Sequence, residues 1–326
     1  MAIIANTYQP YQSIGNREDL NDIISNVSPT ETPFMSNAKG NKKPVSAKLT
    51  EWQTDALAAG ASNAFISGDD LTAFAARVPT VRLGNYTQIS VKSLIVADEQ
   101  DAIDKAGRGK GGNSETNYQV IKAGAELKLD MEFALVQNNG GVAGATGTAS
   151  QLAGIRAFMK TNVNMGTGAA ANPTYTSGVA NGRTDGTQRD LTETILKNVL
   201  QLGYTNGGMF TMVMVGPVNK QRVSTFTGIA TRFKDVPAGQ QAQIIGAADV
   251  YVGDFGQVMI VPSRTMRERD ALFLDPKHYG VRYLEPMHVV QLARTGLAEK
   301  AAMAVNYTLH VDNEKAFGIA ADLNVT

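Results

Sequence analysis

The sequence has no cysteine, which excludes disulfide frameworks, thiolate metal sites and cysteine nucleophiles. Histidine is almost as scarce. His278, His288 and His310 are the only 3, with neither His-x-His nor His-x-x-x-His spacing, so no metal site is expected. Charged residues make up 18%, with 30 Lys+Arg balancing 30 Asp+Glu. Soluble domains average about 25% charged residues. A zero balance argues against nucleic-acid binding by a basic tail, and low surface charge favours association with partners. Long hydrophobic runs are also missing. A spanning helix needs about 20 apolar residues, and the best stretch, 209–218, is broken by Gly216 and Pro217. No membrane association is expected. The first residues have no basic n-region and no apolar h-region, so no cleaved leader is expected.

The 326 residues allow one large or two ordinary domains with a sizeable core. Residues 1–50 read as an arm rather than a domain, being rich in Asn, Gln, Ser, Thr and Pro. Asn16 can cap a short helix in which Leu20, Ile23, Ile24 and Val27 make one apolar stripe, stopped by Pro29 and Pro33. Such a helix cannot bury its stripe alone and must dock on a body, its own or a neighbour's.

Residues 51–96 read as a long excursion. An Ala/Gly/Ser-rich limb runs out to a polar turn at Gly68-Asp69-Asp70. A strand-like limb returns, with Gly84-Asn85 expected to break it. Long loops of this kind are functional or disordered. Residues 113–138 form the best helix, with a capping box at Thr116–Gln119 and a stop at Asn139-Gly140-Gly141. Val120, Gly124, Leu127, Met131 and Leu135 give one stripe; Leu129, Phe133 and Val136 give a second. Residues 141–188, nearly uncharged, read as surface loops, with Arg156 and Lys160 in a short apolar element. Helices at 191–202 and 219–226 and strands at 210–215 and 258–262 follow. Strands over 302–311 and 316–321 close the chain.

Motifs for chemistry are weak. Gly107, Gly109 and Gly112 fit G-x-G-x-x-G, with Asp130 further on, but no strand leads into them and Asp130 falls inside a helix. A flexible linker is the better reading. No G-x-S-x-G elbow occurs, and adjacent Asp69 and Asp70 suit a solvated turn. No catalytic, cofactor-binding or metal-binding residue is assigned. Trp52, the only tryptophan, is either ordinary packing or an intersubunit anchor.

Several strings carry a resemblance, in order along nearly the whole chain. They are Arg17-Glu18-Asp19-Leu20, Thr32-Pro33-Phe34-Met35, Glu51-Trp52-Gln53-Thr54-Asp55, Gly84-Asn85-Tyr86-Thr87-Gln88, Glu126-Leu127-Lys128-Leu129-Asp130, Leu274-Asp275-Pro276 and Val281-Arg282-Tyr283-Leu284. With the order arm, extended loop, long helix, α/β body and returning strands, the chain resembles tailed-bacteriophage major capsid proteins with the Hong Kong 97-type fold. The resemblance implies an α+β fold with an N-terminal arm (1–50), an extended loop (51–96) and a P domain with its spine helix (97–160). An A domain (161–295) and C-terminal strands returning to both domains (296–326) complete it. It implies a non-enzymatic shell protein that assembles with itself into hexamers and pentamers around double-stranded DNA, bound without sequence specificity. A portal protein and separate scaffolding or decoration proteins are the other implied partners. The implied location is the virion capsid, assembled in host cytoplasm. The expected assembly-interface residues are Leu20, Ile23, Ile24, Val27, Trp52 and Phe65.

Two departures from the family stand out. The founding member of the fold cross-links through a lysine of the extended loop, and no lysine lies between Glu51 and Ser90. Nor does a long helical pro-segment precede the arm. Two alternatives remain: an encapsulin-like nanocompartment shell, distinguished by its cargo, and a nucleotide-dependent soluble enzyme, distinguished by nucleotide titration.

Overall fold

The computed structural model describes residues 29–68, 70, 74, 76–103, 114–226 and 250–325. The arm stripe Leu20, Ile23, Ile24 and Val27 and the glycine motif at 107–112 lie outside the described residues. Proline near its start opens a one-turn helix, α1 (Pro33–Asn37), where a missing N–H costs nothing. A strap, 39–48, then lies along the strand that begins at Tyr279. Gly40 N donates to Tyr279 O at 2.8 Å and Val45 N to Tyr283 O at 3.0 Å. The two backbones approach so closely that only glycine fits. A Cβ on Gly40 would meet Tyr279 O at 2.5 Å, and one on Gly280 would meet Asn41 O at 2.4 Å.

Strands β1 (Leu49–Thr54) and β2 (Val81–Tyr86) pair antiparallel, Leu49 opposite Tyr86 and Thr54 opposite Val81. Of the segment that connects them, residues 55–68, 70, 74 and 76–80 are described, and all are exposed. The expected break at Gly84-Asn85 does not occur; both residues lie inside β2. Asn85 is buried, and its amide donates to Ala153 O at 3.1 Å and Leu309 O at 3.0 Å while accepting from Ala153 N at 2.8 Å. A residue that reads as turn-forming is here a satisfied buried knot. The chain turns one step later, at Thr87, into β3 (Gln88–Ala97), followed by α2 (Asp98–Ala102).

Helix α3 (Glu115–Val136) packs on β3 and on the C-terminal strand that pairs with it. Its N-cap is Ser114 rather than Thr116. Thr116 is buried, and its hydroxyl donates to Glu299 Oε2 at 3.3 Å. Leu127, Met131 and Leu135 of the first expected stripe are buried. The second stripe fails at Phe133, which is 54% exposed.

Region 141–188 is less superficial than its composition suggests. It holds the one-turn α4 (Ile155–Phe158), all four residues of which are buried. Arg156 Nη1 lies 2.7 Å from Asp270 Oδ2 in the core. It also contains β4 (Asn162–Asn164), β5 (Tyr175–Thr176) and β6 (Val179–Ala180); the last two complete a four-stranded sheet of order β1-β2-β6-β5.

Helix α5 (Glu193–Thr205) starts where Thr192 Oγ1 accepts from Ile195 N, and α6 (Pro217–Ser224) follows β7 (Met212–Val215). Strands β8 (Val250–Gly253), β9 (Gly256–Pro262) and β10 (Ala271–Leu274) come next. Then β11 (Tyr279–Gln291), β12 (Ala298–Val311) and β13 (Gly318–Ala320) end the chain. A mixed six-stranded sheet runs β4-β13-β10-β7-β9-β8, and a three-stranded sheet runs β11-β12-β3. One apolar cluster joins α1, α3, α4 and β12; a second lies under α5, around Val199, Phe210 and Phe273. The C-terminal strands β12 and β13 each enter a central sheet, β12 between β11 and β3 and β13 between β4 and β10.

Candidate assembly surfaces

The segment between β1 and β2 carries large apolar side chains that are exposed among the described residues. Leu57 is 98% exposed, Phe65 65%, Ile66 79%, Phe74 82% and Val78 81%. Scattered exposed apolar residues are ordinary, but this many on one segment mark an interaction surface. Within it, Gly68 has φ +90, a conformation that an L residue resists.

Trp52 sits at the root of the same hairpin. It is half-buried, 6.0 Å from the Phe158 ring and edge-on to His310 at 4.5 Å. Trp52 therefore packs at home, whereas Phe65 lies out on the exposed segment; the structure does not bring the two together. Leu57, Ile66, Phe74 and Val78 were not singled out from sequence. Leu57 and Ile66 stand as isolated apolar residues in the Ala/Gly/Ser-rich outward limb, and Phe74 and Val78 lie beyond its polar turn, where Val78 begins the strand-like alternation.

Behind Trp52, His310 Nε2 lies 3.0 Å from Asp312 Oδ1, and His278 lies 3.5 Å from Asp312 Oδ2. Burial pushes the His310 imidazole below its ordinary pKa, against the opposing pull of Asp312. His288 is exposed and contacts Pro286 O at 2.9 Å. Among the described residues no group of three His, Cys, Asp or Glu could hold a metal, and no helix is long and apolar enough to cross a membrane.

Two open clefts flank the hairpin root. One, of about 320 Å³, lies between Val78–Val81 and Tyr175; the other, of about 410 Å³, lies between Leu57 and Met209. They separate the segment between β1 and β2 from the body and gather no catalytic constellation.

Two further apolar surfaces are open. On β3, Ile89, Val91 and Ile95 point away from α3 and are 66%, 52% and 63% exposed. The opposite face of the strand meets α3, where Lys92 Nζ pairs with Asp130 Oδ2 at 2.8 Å. At the β8 edge, Val252 is exposed, and the Tyr204 ring lies tilted against that of Phe255, centroids 5.0 Å apart.

The rigid body that carries these surfaces is held by charge as well as packing. Burial lowers the Arg156 guanidinium to about 10, partly offset by Asp270. Asp322, in the left-handed region at φ 61, accepts from Gly166 N at 3.0 Å and Gly186 N at 2.6 Å and lies 3.4 Å from Arg269 Nη2. Asp185 pairs with Arg267 beside it.

A family model described as SU10 major capsid protein matches residues 3–324. The major capsid protein of Escherichia phage Phieco32 is 35% identical over 127 residues, which is 39% of this chain and 34% of that protein. The match thus spans about a third of that relative's length. Among solved structures, the cyanophage A-1(L) capsid asymmetric unit has a TM-score of 0.70 at 13% identity, covering 94% of this chain and 97% of its own. A holo-SrpI encapsulin complex from Synechococcus elongatus has a TM-score of 0.53 at 10% identity, covering 93% of each chain. These structural likenesses bear out the expected α+β, Hong Kong 97-type fold.

Proposed function

The chain belongs to the SU10 major capsid protein family, and from that premise we propose that it is the head protein of a tailed phage. Copies assemble as hexamers and pentamers into an icosahedral shell around double-stranded DNA. The observation that carries this reading is the segment between β1 and β2, whose large apolar side chains are exposed among the described residues. Covering them on a neighbour removes apolar surface from water at about 25 cal/mol per Å². A subunit that reaches several neighbours must break several contacts to leave, which adds kinetic stability.

In this reading residues 97–160, with α3, form the P domain, residues 161–295, with α5 and α6, form the A domain, and the strands of 296–326 return to both. Leu20, Ile23, Ile24 and Val27 dock the arm on a neighbour, Phe65 anchors the extended segment, and the open edge of Trp52 completes that contact. The protein works within the virion, is assembled in host cytoplasm, and meets a portal and separate scaffolding or decoration proteins. The alternative, a nanocompartment shell, is supported by the encapsulin likeness; the sequence family and the phage relative favour the phage head.

The test compares the full chain with a variant lacking residues 1–28, by electron microscopy and sedimentation. The full chain should yield closed particles of uniform diameter, and the shortened chain folded but unassembled subunits. A full chain that stays monomeric under every assembly condition would contradict the proposal.

A further inference from the structure

Between Glu31 and Glu51 the chain carries Lys39, Lys42, Lys43 and Lys48 and no carboxylate. In a chain of zero net charge this is a local excess of one sign. The structure makes it a surface: all four lysines are exposed, and among the described residues none of their ammonium groups has an ion-pair partner. The strap 39–48 that bears them is fixed on β11 by backbone contacts, including Lys39 N to Pro276 O at 2.8 Å and the close approach of Gly40 and Gly280.

Its surroundings add positive charge. Exposed Lys277 follows Pro276 directly. Arg282 spends Nε and Nη2 on the carbonyls of Lys43 and Pro44, at 2.7 and 3.3 Å, rather than on a carboxylate. The carboxylates near this end face histidines rather than the strap lysines: Asp275 and Asp312 both face His278 and Asp312 also contacts His310, pairs that are ionic only when the histidine is protonated. Glu285 is the single carboxylate of β11.

We propose that the strap, with Lys277 and Arg282, is a contact for the phosphate backbone of duplex DNA, an inference that rests on the shell reading above. Lysine ammonium groups on flexible stems are point charges suited to phosphates without base recognition. They are strung along an extended segment rather than converging on one point, which suits a line of phosphates better than a single small anion. Their lack of internal partners means that binding breaks no ion pair and releases counterions from the duplex. A shell of many copies repeats the contact, so a weak site per subunit suffices to line a wall.

The experiment uses the full chain and a variant with Lys39→Gln, Lys42→Gln, Lys43→Gln and Lys48→Gln. The backbone hydrogen bonds of the strap do not need these side chains, and thermal melts check that the variant folds. A labelled duplex of about 30 base pairs is titrated by fluorescence anisotropy between about 50 and 200 mM salt. If each lysine neutralises one phosphate, the slope of log affinity against log salt should shrink by about 3 to 4, with at least a tenfold loss at the lowest salt. Electron micrographs of both proteins should show the same shells. Equal slopes and affinities would overturn the proposal. So would a variant that folds but forms no shells, because the lysines would then face carboxylates of a neighbouring subunit. A wild-type protein that never forms shells sinks the reading of function, while the duplex titration still decides the strap.

Discussion

Glu132 Oε1 accepts the backbone N–H of Phe34 at 2.6 Å, across 98 residues of sequence, while Oε2 accepts that of Met35 at 2.9 Å. The spine helix thereby supplies the cap that α1 lacks in its own sequence, where Thr32 makes no side-chain cap. Tyr279 reinforces the joint, donating from its hydroxyl to Phe34 O at 3.1 Å and stacking on the Phe34 ring at 4.4 Å. The start of α1 is therefore fixed to α3.

That joint should be sensitive to pH near neutrality. Burial pushes the Glu132 carboxyl up to about 7, against the opposing hydrogen bonds from Met35 and Phe34. A carboxyl whose folded pKa is raised favours folding most below its ordinary value of 4.5, and that contribution is lost as pH rises through about 7. Urea unfolding of wild type and Glu132→Gln, at about pH 5 and about pH 8, reads the effect. The stability of wild type relative to the variant should fall between the two. A difference that does not change with pH would show that Glu132 does not titrate in this range.

The core pair Arg156–Asp270 gives a second prediction. Both side chains are buried, at 0% and 1% exposure. Arg156→Ala leaves an unpaired buried carboxylate and should cost about 3–5 kcal/mol. Arg156→Met with Asp270→Asn removes both charges at similar volume and should recover part of that loss in thermal unfolding. A double variant no better than the single one would mean that the pair is needed for more than its mutual charge.

Phe65 and Trp52 should separate in mutation. Phe65 is 65% exposed, so Phe65→Ala should leave subunit stability within about 0.5 kcal/mol of wild type. Shells built from it should nonetheless fall apart at lower denaturant concentration. Trp52 packs on Phe158 and His310, so Trp52→Ala should weaken the subunit as well as the shell. If Phe65→Ala shells resist denaturant as wild type does, Phe65 is not an assembly anchor.

How much of this was legible depended on the physical signal each element leaves. The long helix was readable because Leu127, Met131 and Leu135 repeat at helical spacing, and β7 because 212–215 is a continuous apolar run before Gly216-Pro217. Asn85 misled because Gly-Asn ordinarily marks a turn, and only tertiary contacts reveal a buried amide with three partners. Arg156 misled in the same way, since its counter-charge lies far along the chain at Asp270. Leu57 and Ile66 stand alone in a small-residue limb, so sequence marked the excursion and gave Trp52 and Phe65 as its anchors but not these residues. The lysine strap was hidden by the zero overall balance.

Covalent reinforcement is not expected. With no cysteine and no lysine between Glu51 and Ser90, purified shells boiled in denaturing detergent should give one band near 34.7 kDa. A ladder of multimers would reveal a cross-link from another pair of residues.

The central claim is that the segment between β1 and β2 of each subunit is buried on a neighbour. A cryo-electron microscopy reconstruction of assembled particles, resolved to side chains, tests it most directly. In closed shells of hexamers and pentamers, Leu57, Phe65, Ile66, Phe74 and Val78 should each lose most of their exposed surface to an adjacent subunit. Closed shells in which these side chains remain in solvent would contradict the account.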